Sequence, residues 1–175
     1  MKKILTIRLT TLLVVGLAIS FTATSAQAKP MREILPLPGT VFDASGTEVP
    51  TESLRGKIVA LYFSAHWCGP CKKFTPQLIK FHEANKRNGF EVVFMSLDRS
   101  QSQKDAYMKQ SGMNWYTAPG HGTKEINFIM DYYKLRGIPA LIVFGPNGEV
   151  ITTDGRSDVT GNPGGAFAKW QAATR

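Results

Sequence analysis

The chain of 175 residues carries 21 Lys and Arg against 13 Asp and Glu, a formal net charge of +8. The basic residues are scattered and no aromatic residues are interleaved with them, so the composition argues against a nucleic-acid-binding protein. The two cysteines have only two residues between them, and a bridge that closes so short a loop adds little stability. We therefore expect reversible thiol chemistry rather than a structural disulfide.

The first 28 residues have the pattern of a cleaved secretory signal. A basic start is followed by an apolar run over Leu9–Phe21, and Ala26 and Ala28 are small residues suited to signal cleavage. The run is too short and too rich in Thr and Ser for a membrane span, which needs roughly 20 apolar residues. We predict cleavage after Ala28, a periplasmic or secreted location without stable membrane insertion, and a single domain over 29–175.

The first half of that domain alternates strand and helix patterns. Residues 57–64 form a nearly continuous apolar run, which indicates a strand buried on both faces of a sheet. Pro76 lies inside the helix that follows, and we expect it to kink that helix. The predicted elements are hairpin strands at 40–43 and 48–50, a strand at 57–64, a helix at 70–88, a strand at 91–97 and a helix at 102–110.

The second half ends in an antiparallel pair of strands. Ile126, Ile129, Met130 and Tyr133 recur at helical spacing, and Pro146-Asn147-Gly148 is a strong hairpin signal. The predicted elements are a short extended piece at 115–117, a helix at 124–135, strands at 140–144 and 150–153, and a helix at 162–173. The order predicts an α/β protein with a central mixed sheet and helices on both faces.

Cys68 and Cys71 are the candidate catalytic residues. Cys68 lies between the strand at 57–64 and the next helix, so its sulfur faces the free amide groups and positive dipole end of that helix. This position favours the thiolate, which is the form that attacks disulfides. Cys71 follows one turn later on the same side, where it can resolve a mixed disulfide. Gly69 permits a tight turn, and Pro70 is tolerated in the first helical turn.

Metal sites are the competing interpretation of the cysteine pair. Zinc needs about four ligands and the pair supplies two, while a c-type haem site needs a His where Lys72 stands. His82 falls three turns beyond Cys71 on the same helix, too far to share a metal with it. Binding of Cu(I) by two thiolates stays open. Redox chemistry is favoured because the pair opens a helix after a buried strand, and we expect no metal and no cofactor.

His66 stands two residues before Cys68. If its ring lies beside that sulfur, an imidazolium would stabilise the thiolate, which makes His66 a candidate modulator of the Cys68 pKa. The alternative is a solvated loop residue. His121, between two glycines, is most simply interpreted as a loop residue.

Two sequence blocks carry a resemblance to thioredoxin. They are Trp67–Lys72 (WCGPCK), with Pro76 five residues after the second cysteine, and Arg136–Phe144 (RGIPALIVF). A narrower resemblance, to the tryparedoxin and nucleoredoxin branch, lies in the runs Tyr62–Ala65 (YFSA), Phe74–Leu78 (FTPQL), Glu91–Phe94 leading to Asp98, and Gly155-Arg156 ahead of Phe167 and Trp170. The resemblance covers most of 57–153.

The resemblance implies a thioredoxin-like fold and a substrate-docking surface. Pro139 should follow a cis peptide bond and face the sulfurs, and Ile138 should present its backbone to a substrate chain. Trp67, Gly69 and Pro70 would complete that surface. Where thioredoxin carries a buried Asp that assists the resolving cysteine, this chain has Tyr62. The acid/base partner of Cys71 is therefore unassigned, and water or a carboxylate from elsewhere are the choices.

These features predict an exported thiol–disulfide oxidoreductase that reduces disulfide-containing protein substrates. Export would require a membrane-crossing thiol electron donor. The Gly-Pro pair between the cysteines resembles that of thioredoxin and implies a reduction potential of roughly −270 mV. The alternatives are an oxidase or isomerase of protein disulfides, or a non-catalytic Cu(I)-binding carrier with a thioredoxin fold.

Overall fold

The computed structural model describes residues 35–174. The predicted signal peptide, 1–28, and its cleavage point lie outside these residues and stay predictions. Within 35–174, no helix combines the length and the apolar character needed to cross a membrane.

A mixed seven-stranded sheet forms the centre of the described chain. Its strands are β1 (Thr40–Phe42), β2 (Glu48–Pro50), β3 (Ile58–Ser64), β4 (Phe90–Ser96), β5 (Tyr116–Thr117), β6 (Ala140–Phe144) and β7 (Val150–Thr152). They are ordered β2-β1-β5-β4-β3-β6-β7. The pairs β3–β4 and β4–β5 are parallel and the other neighbours are antiparallel.

Residues 35–174 also contain five α-helices and two short 3-10 turns, and the last two helices follow β7. The helices are α1 (Gly69–Asn85), α2 (Gln101–Ser111), α3 (Lys124–Tyr132), α4 (Gly155–Gly161) and α5 (Ala166–Ala172), and the 3-10 turns are Thr51–Leu54 and Lys86–Asn88. Helix α1 runs through Pro76 as one helix. The predicted α/β architecture is confirmed.

Strand β3 is the centre of the core, because all seven of its residues are buried. Alternate side chains point to opposite faces of a strand. Ala60 and Tyr62 accordingly join the apolar cluster that contains residues of α1 and α5. Leu61 and Phe63 join the cluster that contains Ile126 of α3. The continuous apolar run therefore encodes a strand covered on both faces, as predicted.

The last predicted helix, 162–173, is wrong in its extent. The structure has two short helices, α4 and α5, with a break at Asn162, whose backbone is not helical (φ −146°, ψ 69°). Its side-chain oxygen accepts a hydrogen bond from Gly165 N (3.1 Å), and Pro163 lacks an N–H. Helix α4 was missed because its seven residues bury only Gly155 and Val159 and thus show no apolar periodicity.

Helix α3 also ends earlier than predicted, at Tyr132 rather than near residue 135. Lys134 adopts a left-handed backbone conformation (φ 55°), which cannot continue a right-handed helix. The N–H of Leu135 then bonds to the carbonyl of Met130 (2.9 Å), as in the usual helix-ending motif. The chain is thereby turned toward β6.

Lys104 of α2 is a buried cation that fastens the loop after β5. Only 1% of its surface is exposed, and its ammonium donates to the carbonyl oxygens of Ala118 (2.6 Å) and Gly120 (2.9 Å). Burial lowers the pKa of Lys104 to about 8. Both hydrogen bonds survive deprotonation, because a neutral amine still has two N–H groups for the two carbonyls.

We expect Lys104→Met to lower the free energy of unfolding by roughly 1–3 kcal/mol, because a buried carbonyl loses its donor. The free energy of unfolding lost by the variant should grow as pH rises from about 8 toward 10.5, the ordinary lysine pKa. In that pH range Lys104 is protonated in the unfolded wild type but not in the folded one, so the wild type becomes more stable and the Met variant gains nothing. Urea unfolding of the oxidised proteins at several pH values measures this difference. The exposed Lys109→Met is the matched control. A difference that stays flat or shrinks with pH would contradict the assignment.

Candidate active site

Cys68 and Cys71 form a disulfide at the N-terminus of α1, directly after the turn that follows β3. Cys68 is the N-cap of this helix, and its Sγ accepts a hydrogen bond from Cys71 N (3.2 Å). Cys71 is fully buried, whereas Cys68 keeps 6% of its surface exposed. Of the two cysteines, only Cys68 therefore retains exposed surface, and the roles of nucleophile and resolving cysteine stay predictions.

An exposed rim surrounds the Cys68 side of the disulfide. Trp67 is half exposed, and Gly69 and Pro70 lie exposed in the first turn of α1. The Trp67 indole N–H donates to the carbonyl of Leu97 (3.3 Å), so the ring is held at the end of β4. Three of the five residues predicted to dock substrate are thus exposed next to Cys68.

Ile138 and Pro139 approach the disulfide from the strand side. The peptide bond between them is cis, and the carbonyl oxygen of Ile138 lies 3.6 Å from Cys68 Sγ. The Ile138 side chain is half-buried and packs against the small cluster of Ala65, Cys68 and Cys71. All five docking residues predicted from the resemblance therefore lie around Cys68.

A row of hydroxyl groups lies beneath the resolving cysteine. Thr75 Oγ1 lies 2.8 Å from the Tyr62 hydroxyl and 2.8 Å from the Tyr107 hydroxyl. The Tyr107 hydroxyl lies 3.2 Å from Ser64 Oγ. Thr75 Oγ1 also lies 2.9 Å from the carbonyl oxygen of Cys71 and can donate to it. Burial raises the pKa of Tyr62 above its usual 10.0, so this side chain stays neutral. Sequence reasoning missed Ser64, Thr75 and Tyr107, because this row of hydroxyl groups joins side chains from three separate elements, β3, α1 and α2.

His66 pairs with a buried carboxylate. Asp98 Oδ1 lies 2.7 Å from His66 Nδ1 and accepts a second hydrogen bond from the His66 backbone N–H (2.8 Å). Ser96 Oγ donates to the other oxygen of Asp98 (2.9 Å). The His66 ring is thus neither a free loop group nor hydrogen-bonded to Cys68; it is held by Asp98. The sequence signal for Asp98 is a carboxylate placed directly after a buried strand.

The other two histidines have hydrogen-bond partners other than the cysteines. His121 Nδ1 is 3.1 Å from the carbonyl oxygen of Asp98, which ties the loop after β5 to the end of β4. His82 is buried in α1 and faces Glu91 at 3.2 Å. Within the described residues, no group of three or more His, Cys, Asp or Glu side chains is arranged to hold a metal ion.

Comparison with known proteins identifies the family. A family model described as thioredoxin-like matches residues 56–150. The chain belongs to the thioredoxin-like family. Within it, relatives and structures match the tryparedoxin and nucleoredoxin branch: the chain is 38% identical over 133 residues to the nucleoredoxin of Bos taurus. That alignment covers 75% of this chain but 30% of the relative, so the chain spans about a third of that nucleoredoxin's length.

Solved structures of single-domain size match more completely. Tryparedoxin from Trypanosoma brucei superposes with a TM-score of 0.72 at 34% identity, covering 81% of this chain and 97% of the other. A thioredoxin from Wuchereria bancrofti gives 0.66 at 43% identity, covering 79% and 98%. This thioredoxin-like chain is therefore a redox protein whose Cys68–Cys71 pair forms a disulfide.

Proposed function

We propose that this thioredoxin-like protein is an exported thiol–disulfide oxidoreductase that reduces disulfides in protein substrates. The observation that carries the proposal is the open surface around a single sulfur: Trp67 and Pro70 on one side of Cys68, and Ile138 at 3.6 Å on the other. An exposed rim next to the residue that precedes β6 suits an extended polypeptide, which can pair with the Ile138 backbone.

The dithiol would act in two exchange steps. The Cys68 thiolate attacks one sulfur of the substrate disulfide, forming a mixed disulfide and releasing the other sulfur as a thiolate that takes up a proton. Cys71 loses its proton and attacks Cys68 Sγ, which closes the Cys68–Cys71 bond and releases the second substrate thiol. Two electrons pass from the protein to the substrate, and an external thiol must restore the dithiol.

The row of hydroxyl groups under Cys71 affects the second exchange step, in which Cys71 attacks Cys68 Sγ. Thr75 lies 2.9 Å from the Cys71 carbonyl, so the row orders the helix turn that carries the resolving sulfur. Burial raises the pKa of the Tyr62 hydroxyl, which therefore stays neutral, and we infer that water takes the Cys71 proton when a substrate is bound. The proton acceptor predicted to be water or a carboxylate is thereby proposed to be water.

Export and electron supply belong to the same proposal. The signal pattern over 1–28 supports a periplasmic or secreted location, and a reductase in such a compartment depends on a membrane-crossing thiol donor. Secretion of the full chain followed by N-terminal sequencing tests this: a mature protein that starts at Lys29 is expected, and an uncleaved intracellular chain would overturn it.

Reduction potential decides the direction of the reaction. The Gly69-Pro70 pair favours a value near −270 mV, and equilibration with glutathione should place it well below −180 mV, the isomerase range. The reduced protein should also reduce insulin with dithiothreitol as donor. A potential above roughly −180 mV would favour an oxidase or isomerase. Tight Cu(I) binding without turnover would favour a carrier.

A further inference from the structure

A groove with an excess of positive charge begins at the substrate-docking residues. It has a volume of about 420 Å³, and its walls include both Ile138 and Pro139. Three exposed cations line it, Lys134, Arg136 and Arg156. Its single carboxylate, Asp154, already accepts a hydrogen bond from Ser157 (2.7 Å).

The topology explains why these cations gather at the end of the sheet that also holds Cys68. Strand β6 runs antiparallel to β3, so the residues that precede β6, Lys134 and Arg136, lie at the end of the sheet where β3 stops. Strand β7 runs antiparallel to β6, so Arg156, just after β7, lies at the same end. Cys68 lies at this end because it follows β3.

The charge of the groove is not neutralised within the described chain. None of Lys134, Arg136 and Arg156 forms an ion pair with another residue of 35–174. With Asp154 as the one opposing charge, the lining carries a formal excess of two positive charges (three cations less one carboxylate). Lys72 and Lys73, exposed near the start of α1, add further positive charge close to Cys68 in the sequence.

We propose that the groove binds acidic residues that flank the target disulfide of a polypeptide substrate. This inference rests on the proposed function, because it names the class of substrate for the same site. A chain that pairs with the Ile138 backbone continues past Pro139 into the groove, so side chains one to three residues from its cysteine meet the three cations. Carboxylates there replace water around Arg136 and Arg156 with charge-assisted hydrogen bonds.

Matched peptides test the proposal. Three peptides share one disulfide and differ only in the flanking residues, which are Asp and Glu, Ser and Gln, or Lys. With the whole chain reduced by dithiothreitol, we expect kcat/KM to be about five- to tenfold higher for the acidic peptide than for the neutral one, and lowest for the basic one. The preference should shrink at high salt, which screens exposed charges.

A pair of double variants assigns the preference to the groove. Arg136→Gln with Arg156→Gln should bring the ratio of acidic to neutral rates close to one. Lys80→Gln with Lys109→Gln removes the same charge from exposed positions on α1 and α2 and should keep the ratio. Loss of the preference in both double variants would show an effect of net charge and overturn the groove assignment.

The remaining outcomes separate this inference from the proposed function. Equal rates for all three peptides, or a preference for the basic one, would overturn the inference and leave the reductase standing. Reduction of none of them would overturn the reductase itself. Oxidised glutathione tests whether the groove binds a small anionic disulfide instead. If its reduction is faster than that of the acidic peptide and depends on Arg136 and Arg156 in the same way, the groove binds a small anion rather than a polypeptide, and the inference is overturned.

Discussion

Cys68→Ser should reduce insulin turnover to the uncatalysed background, whereas Cys71→Ser should stop the cycle one step later. A serine hydroxyl is not ionised near neutral pH and cannot replace the attacking thiolate. In Cys71→Ser the Cys68 sulfur still attacks, but no second sulfur closes the Cys68–Cys71 bond, so the substrate stays attached. Intact-mass spectrometry should show a one-to-one mixed disulfide with Cys71→Ser and none with Cys68→Ser.

Alkylation of the reduced wild-type protein supplies an independent measurement. Iodoacetamide should modify Cys68 much faster than Cys71, because Cys71 is fully buried and Cys68 keeps 6% of its surface exposed. Both serine variants lack the same short disulfide loop, so each is the other's control for stability. Equal alkylation rates would rule out the assignment, and covalent capture by Cys68→Ser would reverse the two roles.

Asp98→Ala should lower the free energy of unfolding by roughly 2–4 kcal/mol and slow disulfide reduction about tenfold. The change removes the acceptor for the His66 backbone N–H and ring and for Ser96 Oγ. The segment from Ala65 to Cys68 then loses both hydrogen bonds of His66 to Asp98 and keeps the bond from the Trp67 indole to Leu97 at the end of β4. The Asp98 carboxylate forms its hydrogen bonds with His66 and Ser96 and not with the sulfurs, so we regard it as a positioning residue.

The conservative variant distinguishes positioning from charge. Asp98→Asn keeps an oxygen that can accept from His66 and an amide that can donate to Ser96 Oγ, so it should recover most of the rate. The exposed Asp105→Ala on α2 is the control for loss of a carboxylate. Stopped-flow reduction and urea unfolding measure both effects. An Asn variant as slow as Asp98→Ala would assign the role to the negative charge, and a wild-type rate in Asp98→Ala would remove the role altogether.

The positions of the candidate site residues could be predicted from the sequence because these residues lie in short local patterns. Cys68, Gly69, Pro70 and Cys71 form one run, and the local sequence places all four at the start of a helix. Ile138 and Pro139 were placed by resemblance, and the structure puts them at the sulfur. The partner of His66 was not predictable in this way, since Asp98 stands 32 residues further along the chain.

Sequence alone determined the local conformations: the strand β3 buried on both faces, the helix that starts at the cysteine pair, and the closing hairpin. Only the tertiary structure decided which distant side chains meet. Parallel pairing of β3 with β4 sets Ser64 opposite Ser96, and two residues further the same register brings His66 beside Asp98. Apolar periodicity shows that a strand is buried but not which strand lies next to it or in which register. That choice depends on the packing of the whole sheet.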